Sequence, residues 1–208
     1  MKKILTVIGA RPQFIKASSI SREIIKRSGL NEIIVHTGQH YDENMSSIFF
    51  DELSIPKPNY NLGIGGSSHG LMTGRQLEAI EKVLFDENPD FVIVYGDTNS
   101  TLAGALAAAK MNIPLAHVEA GLRSFNKTMP EEINRILTDH ASNILFTPTS
   151  IASSNLLNEG INEALIKRVG DVMLDASIFF KEKAKKPVWI ERYDNHLSDF
   201  VLATIHRA

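Results

Sequence analysis

The feature that most constrains the fold is the regular alternation of short apolar segments with longer, helix-like segments. Apolar runs that are each predicted to form a β-strand occur at residues 4–8, 33–36, 91–95, 113–116, 144–146 and 166–169. Strands that alternate with helices in this way are joined by crossover connections, which place successive strands parallel to one another. The sequence therefore predicts an α/β fold built on a mostly parallel sheet.

The segments between the predicted strands carry helix signals, with one exception. Helices are predicted from Pro12 to about Gly29, at 42–53, at 73–87, between 98 and 111, from Pro130 onwards, at 153–158 and at 172–185. Residues 54–70 are the exception, because asparagines and prolines precede a glycine cluster there and predict a long loop. Loops of that length in compact domains are usually functional or disordered.

The C-terminal part of the chain predicts a domain boundary. A lysine-rich segment at 181–187 ends in a proline, and another apolar run follows at 200–204. A single strand cannot bury both of its faces, so we expect a second domain to begin there. The predicted organisation is an N-terminal domain at residues 1–185, followed by a linker and the first strand of a truncated C-terminal domain at 186–208.

The composition argues against several classes of protein. The chain has 208 residues with 22 basic and 24 acidic side chains, a formal charge of −2, and no cysteine. A chain without a basic excess is not expected to bind nucleic acid, and one without cysteine has no thiolate metal site. The N-terminal apolar run of roughly five residues is too short for a signal peptide, and no run approaches the roughly 20 apolar residues of a membrane span. We therefore expect a cytoplasmic protein without a membrane partner.

Polar side chains recur at the points where the predicted strands end. In chain order, they are Arg11 and Lys16, Gln39 and His40, Asp97, His117 and Glu119. Ligands of open parallel α/β sheets bind outside the carboxyl ends of the strands. Since parallel strands end at one edge, these side chains predict a binding or catalytic site at that edge.

Glu119 and Asp97 are the carboxylates most suited to proton transfer. Glu119 lies between an apolar strand and a glycine, where burial raises the pKa of a carboxyl group and adapts it to acid–base work. The structural alternative is a salt bridge from Glu119 to Arg123. Asp97 lies in a Gly-Asp-Thr turn before a helix, where the alternative is a carboxylate that caps the helix.

The charged residues near two predicted helix N-termini are of opposite sign and have different explanations. Arg11 and Lys16 lie in the first turns of the first helix, where cations oppose the helix dipole and an anionic ligand would justify them. A solvated surface pair is the alternative. Glu131 and Glu132 open a later helix, where negative charge favours the dipole and a structural role suffices for one of them. His117 alone is more often a core histidine than a catalyst.

The glycine-rich segments do not predict a nucleotide cofactor of the redox type. A dinucleotide fingerprint needs several glycines after the first strand, and the sequence Gly9-Ala10-Arg11 does not supply them. Residues 63–70 lack the lysine of a phosphate loop, so we expect a mobile loop over a ligand, or only a turn. No spacing typical of metal ligands is present, and neither metal nor cofactor is predicted.

Six motifs in chain order carry a resemblance to a known family. They are GARPQFIK at 9–16, TGQH at 37–40, GDT at 96–98, HVEAGLR at 117–123, PEEINR at 130–135 and TIHR at 204–207. Together they resemble the non-hydrolysing UDP-N-acetylglucosamine 2-epimerases. The phenylalanine of the first motif, with SFN at 124–126, also resembles a branch that acts on UDP-2,3-diacetamido-2,3-dideoxyglucuronate.

The resemblance implies a fold and a reaction. The fold is the N-terminal half of a glycosyltransferase-B type architecture, in which two doubly wound, Rossmann-like α/β domains enclose the site. The enzyme would be an isomerase that inverts C2 of a UDP-N-acetylhexosamine without a cofactor. A base removes the C2 proton while UDP leaves C1, and UDP and a proton then add back to the 2-acetamidoglycal. A UDP-sugar, a homodimer and surface polysaccharide synthesis are the implied substrate, assembly and role.

The resemblance also implies roles for individual residues. The catalytic residues would be Asp97, Glu119, Glu131 and His206. The substrate-binding residues would be Arg11, Lys16, Arg123, Arg135 and Arg207. A candidate regulatory site would comprise Gln39, His40 and Arg75. Which carboxylate serves which face of the sugar stays open.

Other functions share this architecture. A glycosyltransferase would consume an acceptor and release UDP, and a hydrolysing epimerase would release free N-acetylmannosamine with UDP. A third alternative is an inactive, truncated domain that only binds a sugar nucleotide.

Overall fold

The computed structural model describes residues 1–39 and 55–185, together with 201 and 203. The chain divides into two compact units, Met1–Ala176 and Ser177–Ala208. The sheet and all the site residues discussed below that the structure describes belong to the first unit. In the second, the rings of Phe179 and Phe180 meet edge to face, 4.9 Å apart.

One parallel sheet organises the first unit. Its strands are β1 (Lys2–Ile8), β2 (Leu30–His36), β3 (Tyr60–Asn61), β4 (Phe91–Tyr95), β5 (Leu115–Val118), β6 (Ile144–Thr147) and β7 (Ile166–Arg168). They lie in the order β3-β2-β1-β4-β5-β6-β7, and every neighbouring pair is parallel. The predicted α/β fold with a parallel sheet is therefore confirmed.

Helices cover both faces of the sheet. They are α1 (Arg11–Ile25), α2 (His69–Glu87), α3 (Asn99–Lys110), α4 (Pro130–Ala141), α5 (Ser150–Asn158) and α6 (Val172–Lys181), with a short 3-10 helix at Glu163–Leu165. In the sheet, β1 and β4 are neighbours at the centre. From β1 the chain continues to β2 on one side of this central pair, whereas from β4 it continues to β5 on the other side. Right-handed crossovers then place α1 and α3 on opposite faces, which is the doubly wound arrangement.

The two faces of β1 show how alternating side chains build two cores. Leu5 and Val7 are fully buried in the core that also contains the alanines of α3, whereas Ile8 packs in the other core with Phe14 and Ala17 of α1. Small residues let α3 approach the sheet closely, since a Cβ added at Gly104 would lie 3.1 Å from Val7 Cγ2. The alanine-rich composition of α3 thus serves close helix–sheet packing.

Several predicted boundaries were wrong, and the physical causes differ. The predicted loop at 54–70 contains β3, because Tyr60 and Asn61 pair with Val35 and His36. Helix α2 begins at His69, four residues before the predicted start, and the side chain of its N-cap residue Ser68 forms no capping hydrogen bond. Helix α1 ends at Ile25, before Gly29. The predicted helix at 42–53 lies outside the described residues. Of the predicted strand at 200–204, only Val201 and Ala203 are described, and neither belongs to a helix or strand.

Among the described residues, no helix combines the length and apolar character needed to cross a lipid bilayer.

Gly9 directly follows β1 at a point where three segments meet, and this contact gives a test of the packing. A Cβ at Gly9 would overlap Thr37 Oγ1 and Ser100 Oγ, which are hydrogen-bonded to each other at 2.7 Å. We expect Gly9→Ala to lower the free energy of unfolding by about 1–3 kcal/mol, the usual cost of overpacking. Gly29→Ala is the matched control, because a Cβ there meets nothing within 4 Å. Urea unfolding measures both, and equal stabilities of the two variants would contradict the packing.

Candidate active site

The candidate site lies at the carboxyl ends of β1, β4 and β5. The chain leaves β1 and β4 towards opposite faces, so a crevice forms between these neighbouring strands. Such a topological switch point is where ligands bind in open α/β sheets. The first turn of α1 follows β1 there, the Gly96-Asp97 turn follows β4, and Glu119 follows β5.

A buried ion pair joins α1 to the end of β5. Lys16 Nζ donates to Glu119 Oε2, and the two side chains are 10% and 19% exposed. Gly96 makes room for the pair, because a Cβ there would lie 3.0 Å from Lys16 Nζ and 3.3 Å from Glu119 Oε2. The structure therefore brings together Lys16 and Glu119, and it does not form the alternative salt bridge between Glu119 and Arg123.

Glu119 has an unusual backbone conformation. Its φ of 71° lies in the left-handed region, which is uncommon for a residue other than glycine. The Glu119 and Ala120 N–H groups both donate to the carbonyl oxygen of Phe146, at 3.1 and 3.0 Å. Strained residues of this kind persist only where the surrounding structure fixes them, and they cluster at functional sites. The strained turn aims the carboxylate back at the crevice.

Asp97 belongs to a second ion pair beside the first. Arg135 of α4 donates to Asp97 Oδ2 at 2.5 Å and to Glu132 Oε2 at 2.9 Å. Burial alone lowers the pKa of Arg135, but the two carboxylates outweigh it and the net pKa is raised. The guanidinium therefore stays charged next to Asp97. The predicted residues Asp97 and Arg135 are thus in contact.

Glu132 faces inwards, whereas Glu131 is exposed in the first turn of α4. Glu132 accepts hydrogen bonds from the backbone N–H groups of Ser124 and Phe125, at 3.0 and 2.8 Å. Although burial raises the pKa of Glu132, these bonds and Arg135 bring it below its usual range. Glu132 therefore anchors the loop before α4, and it is the carboxylate with a structural role.

Arg123 is not an exposed cation at the edge. Its side chain is 1% exposed and contacts both oxygens of Glu159 at 2.7 Å, Asp139 Oδ2 at 2.7 Å and the carbonyl oxygen of Leu122 at 2.8 Å. These acceptors raise its pKa despite burial. The geometry favours a structural role for Arg123 over the predicted contact with substrate.

Sequence reasoning missed Asp139, Glu159 and Asn134. Asn134 Nδ2 donates to the carbonyl oxygen of Asp97 at 2.9 Å, which fixes the turn after β4. The sequence did contain a signal for Asp139: Glu132, Arg135 and Asp139 recur at helical spacing, which places them on one side of α4, the side that faces the protein interior. Polar residues on a buried helix face are normally hydrogen-bonded, so this spacing indicates a buried polar network.

The remaining predicted residues are dispersed. Arg11 is exposed at the first residue of α1, and Arg75 is exposed on α2. Gln39 Oε1 accepts from the N–H and the hydroxyl of Ser100, at 3.0 and 2.7 Å, and so lies at the N-terminus of α3. His40, His206 and Arg207 lie outside the described residues. The part of the chain that the structure describes contains no group of three potential metal ligands.

The arrangement alternates carboxylates and cations along one edge. Glu119 pairs with Lys16, and Asp97 pairs with Arg135, on adjacent strands. Ionised carboxylates can accept a proton, and the cations can stabilise negative charge that develops on a departing group. The edge is therefore suited to abstraction of a proton beside an anionic leaving group.

Comparisons with known proteins agree with this chemistry. The sequence model described as UDP-N-acetylglucosamine 2-epimerase matches residues 22–208. The chain is 61% identical to the UDP-2,3-diacetamido-2,3-dideoxy-D-glucuronate 2-epimerase of Pseudomonas aeruginosa, over 99% of this chain and 58% of that protein. It is 51% identical to the UDP-N-acetylglucosamine 2-epimerase of Methanocaldococcus jannaschii, over 99% of this chain and 57% of that protein.

A solved structure extends the similarity to the fold. The crystal structure of the M. jannaschii UDP-GlcNAc 2-epimerase in complex with UDP-GlcNAc and UDP superposes with a TM-score of 0.87. The match has 52% sequence identity and covers 95% of this chain and 54% of that chain. The chain thus spans a little over half the length of the relatives that it matches.

Proposed function

Because the chain belongs to the UDP-N-acetylglucosamine 2-epimerase family, we propose that it contributes the N-terminal catalytic domain of a UDP-sugar 2-epimerase. The reaction is inversion at C2 of a UDP-linked 2-acetamido sugar. One observation carries the proposal: a strained Glu119 paired with a buried Lys16, next to the Asp97–Arg135 pair, at the switch point of the sheet.

The proposed reaction balances without a redox cofactor. A carboxylate accepts the C2 proton, the electrons of the C–H bond form the C1–C2 double bond, and UDP leaves with the electrons of the C1–O bond. UDP then adds back to the glycal while a proton returns to the other face of C2. The C2 proton is only weakly acidic, so the elimination depends on charge stabilisation at the departing phosphate.

The residues take the following proposed roles. Glu119 and Asp97 are the acid–base carboxylates, supported by their position at the ends of adjacent strands. Lys16 and Arg135 form ion pairs with these carboxylates and contribute positive charge. Exposed Glu131 stays a proposed third carboxylate, and exposed Arg11 a proposed ligand of the anionic part of the substrate. Gln39, His40 and Arg75 stay the proposed regulatory site.

The proposal includes a second domain. Residues 1–185 form the N-terminal domain in this proposal, and 186–208 lead into a UDP-binding domain with His206 and Arg207 at the cleft. The share of the relatives that the chain covers, 57% and 58%, supports a second domain of comparable size. Most contacts to uridine and diphosphate would then come from that domain.

The substrate, the assembly and the cellular role complete the proposal. The higher identity to the P. aeruginosa protein, 61% against 51%, favours UDP-2,3-diacetamido-2,3-dideoxyglucuronate over UDP-N-acetylglucosamine. A cytoplasmic homodimer that supplies surface polysaccharide synthesis is proposed. Ile133 and Leu137, which lie four residues apart on α4 and are 38% and 45% exposed, support an apolar contact between copies.

Proton NMR in D2O tests the proposed chemistry directly. Each UDP-sugar is incubated with this chain, and separately with a chain extended by the C-terminal part that its relatives carry. We expect the C2 proton signal to disappear while the sugar stays linked to UDP. Release of free N-acetylmannosamine and UDP would instead indicate a hydrolysing epimerase, and UDP release that requires an acceptor would indicate a glycosyltransferase. Binding without exchange in both forms would reject the epimerase and leave a binding domain.

A further inference from the structure

A network of four ionisable side chains, three of them buried, lies beneath the candidate active site. His117 at the end of β5 donates from Nδ1 to Asp139 Oδ1 at 2.6 Å, and Arg123 reaches Asp139 Oδ2 at 2.7 Å. Arg123 also holds Glu159 through two contacts of 2.7 Å. The side chains of His117 and Asp139 are 0% exposed. The proposed reaction uses none of these four residues.

The hydrogen bonds define the protonation state of His117. Its Nε2 lies 2.7 Å from the carbonyl oxygen of Gly96, which can only accept, so Nε2 carries a proton. Its Nδ1 faces Asp139, whose second oxygen accepts from Arg123 and from the N–H of Gly121 at 3.1 Å. A carboxylate with these donors is ionised, so Nδ1 carries a proton as well. His117 is therefore an imidazolium, and the network holds two positive and two negative charges.

The environment of Asp139 agrees with this assignment. Burial alone raises the pKa of the Asp139 carboxyl group, but the charges and hydrogen bonds of His117 and Arg123 outweigh burial and bring it below its usual range. Buried charges in proteins are paired and hydrogen-bonded because an isolated one is costly.

Two members of the network, His117 and Asp139, hold the two turns that carry the candidate catalytic carboxylates. His117 fixes the carbonyl of Gly96, the residue before Asp97, in a turn with a φ of 63°. Asp139 fixes the N–H of Gly121, two residues after Glu119, in a turn with a φ of 79°. A single imidazolium–carboxylate pair thus connects both turns.

We propose that His117 and Asp139 are positioning residues, which set the relative placement of Asp97 and Glu119 by holding the carbonyl of Gly96 and the N–H of Gly121. This proposal rests on the proposed function for its catalytic consequence. His117 itself does not touch substrate, because its ring is fully buried and both nitrogens are engaged within the protein. Misplacement of a catalytic group by about 1 Å costs on the order of 100-fold in rate.

Two variants of His117 separate positioning from plain stability. In His117→Gln, the amide nitrogen replaces Nε2, so the bond to Gly96 is retained and the bond to Asp139 is lost. In His117→Asn, the amide nitrogen replaces Nδ1, so the bond to Asp139 is retained and the bond to Gly96 is lost. If His117 only stabilised the fold, His117→Gln would be less active than His117→Asn, because His117→Gln leaves buried Asp139 with one hydrogen-bond donor fewer.

The positioning role predicts the opposite order of activity. We expect kcat for C2 exchange in the extended chain to fall about 100-fold in His117→Asn and less than about 10-fold in His117→Gln, with KM within about threefold in both. The thermal midpoint should be lower for His117→Gln than for His117→Asn. An activity order that follows the thermal midpoints would overturn the proposal.

NMR of the 208-residue chain tests the positioning role even if this chain does not catalyse exchange at C2 of the sugar. With 15N-labelled histidine, we expect both ring nitrogens of His117 to be protonated, and an unprotonated ring nitrogen would overturn the assignment. The amide signals of Gly96, Asp97 and Glu119 should shift in His117→Asn and stay close to the wild-type positions in His117→Gln. The reverse pattern would overturn the positioning role. If the wild-type chain shows the expected spectra but the extended chain shows no C2 exchange, the proposed function alone would be rejected.

Discussion

Replacement of Glu119 by glutamine is expected to slow deuterium exchange at C2 about 1,000-fold while the fold stays intact. An amide cannot accept the proton, and a positioned general base contributes about 100- to 10,000-fold. Lys16 then loses its counter-charge at a side chain that is 10% exposed, so we also expect the free energy of unfolding to fall by about 1–3 kcal/mol. Exchange rates from NMR and midpoints from urea unfolding measure the two effects.

Two further substitutions test whether the effect depends on the position of the carboxylate and on its acid–base role. Glu163→Gln changes an exposed glutamate in the 3-10 helix, and it should leave both exchange and stability unchanged. Asp97→Asn should slow exchange as well, since Asp97 is the second proposed acid–base carboxylate. Near-normal turnover in both Glu119→Gln and Asp97→Asn would reject the roles assigned to these residues, whatever the stability shows.

Replacement of Arg123 by methionine is expected to lower the free energy of unfolding by about 3–5 kcal/mol, the usual cost of breaking a buried ion pair. The methionine fills much of the volume but removes the guanidinium, so that buried Asp139 keeps only His117 as a charged partner and the partly buried Glu159 loses its contacts with Arg123. For a chain of this size, we expect the thermal midpoint to fall by roughly 6–20 °C. Differential scanning calorimetry measures the change.

Arg168→Met is the matched control, because Arg168 is an exposed arginine at the end of β7. Its thermal midpoint should stay within roughly 2 °C of the wild type, as for most surface substitutions. A stable Arg123→Met variant with weakened UDP-sugar binding would contradict the structural role and restore the contact with substrate that the motif predicted.

The site was only partly predictable, and the particular residues show why. The motif HVEAGLR marks Glu119 and Arg123 as functional from the sequence alone, but their partners are distant in the chain. Glu119 pairs with Lys16, 103 residues away, and Arg123 pairs with Glu159, 36 residues away. The nearer partner that sequence reasoning considered, Arg123 for Glu119, is turned away because Asp139 and Glu159 hold its guanidinium in the interior.

Local patterns determined the architecture. Apolar runs of three to five residues alternate with helix signals. Both signals come from residues that are close together in the chain, so they predict strands, helices and a parallel sheet without knowledge of distant contacts. The same patterns place Asp97 and Glu119 after successive strands and so at one edge. The two-residue strand β3 escaped prediction because pairing with β2, not its own sequence, makes it a strand.

Only the tertiary structure decided which charges meet. Glu131 and Glu132 are both glutamates in the first turn of α4. The packing of α4 nevertheless turns Glu132 inwards to Arg135 and leaves Glu131 exposed. Similarly, His117 is hydrogen-bonded to a buried carboxylate because α4 brings Asp139 against it, 22 residues along the chain. Strand and helix formation follows from local periodicity, whereas the pairing of side chains depends on how separate elements pack, and that physical difference separates what the sequence determines from what the fold decides.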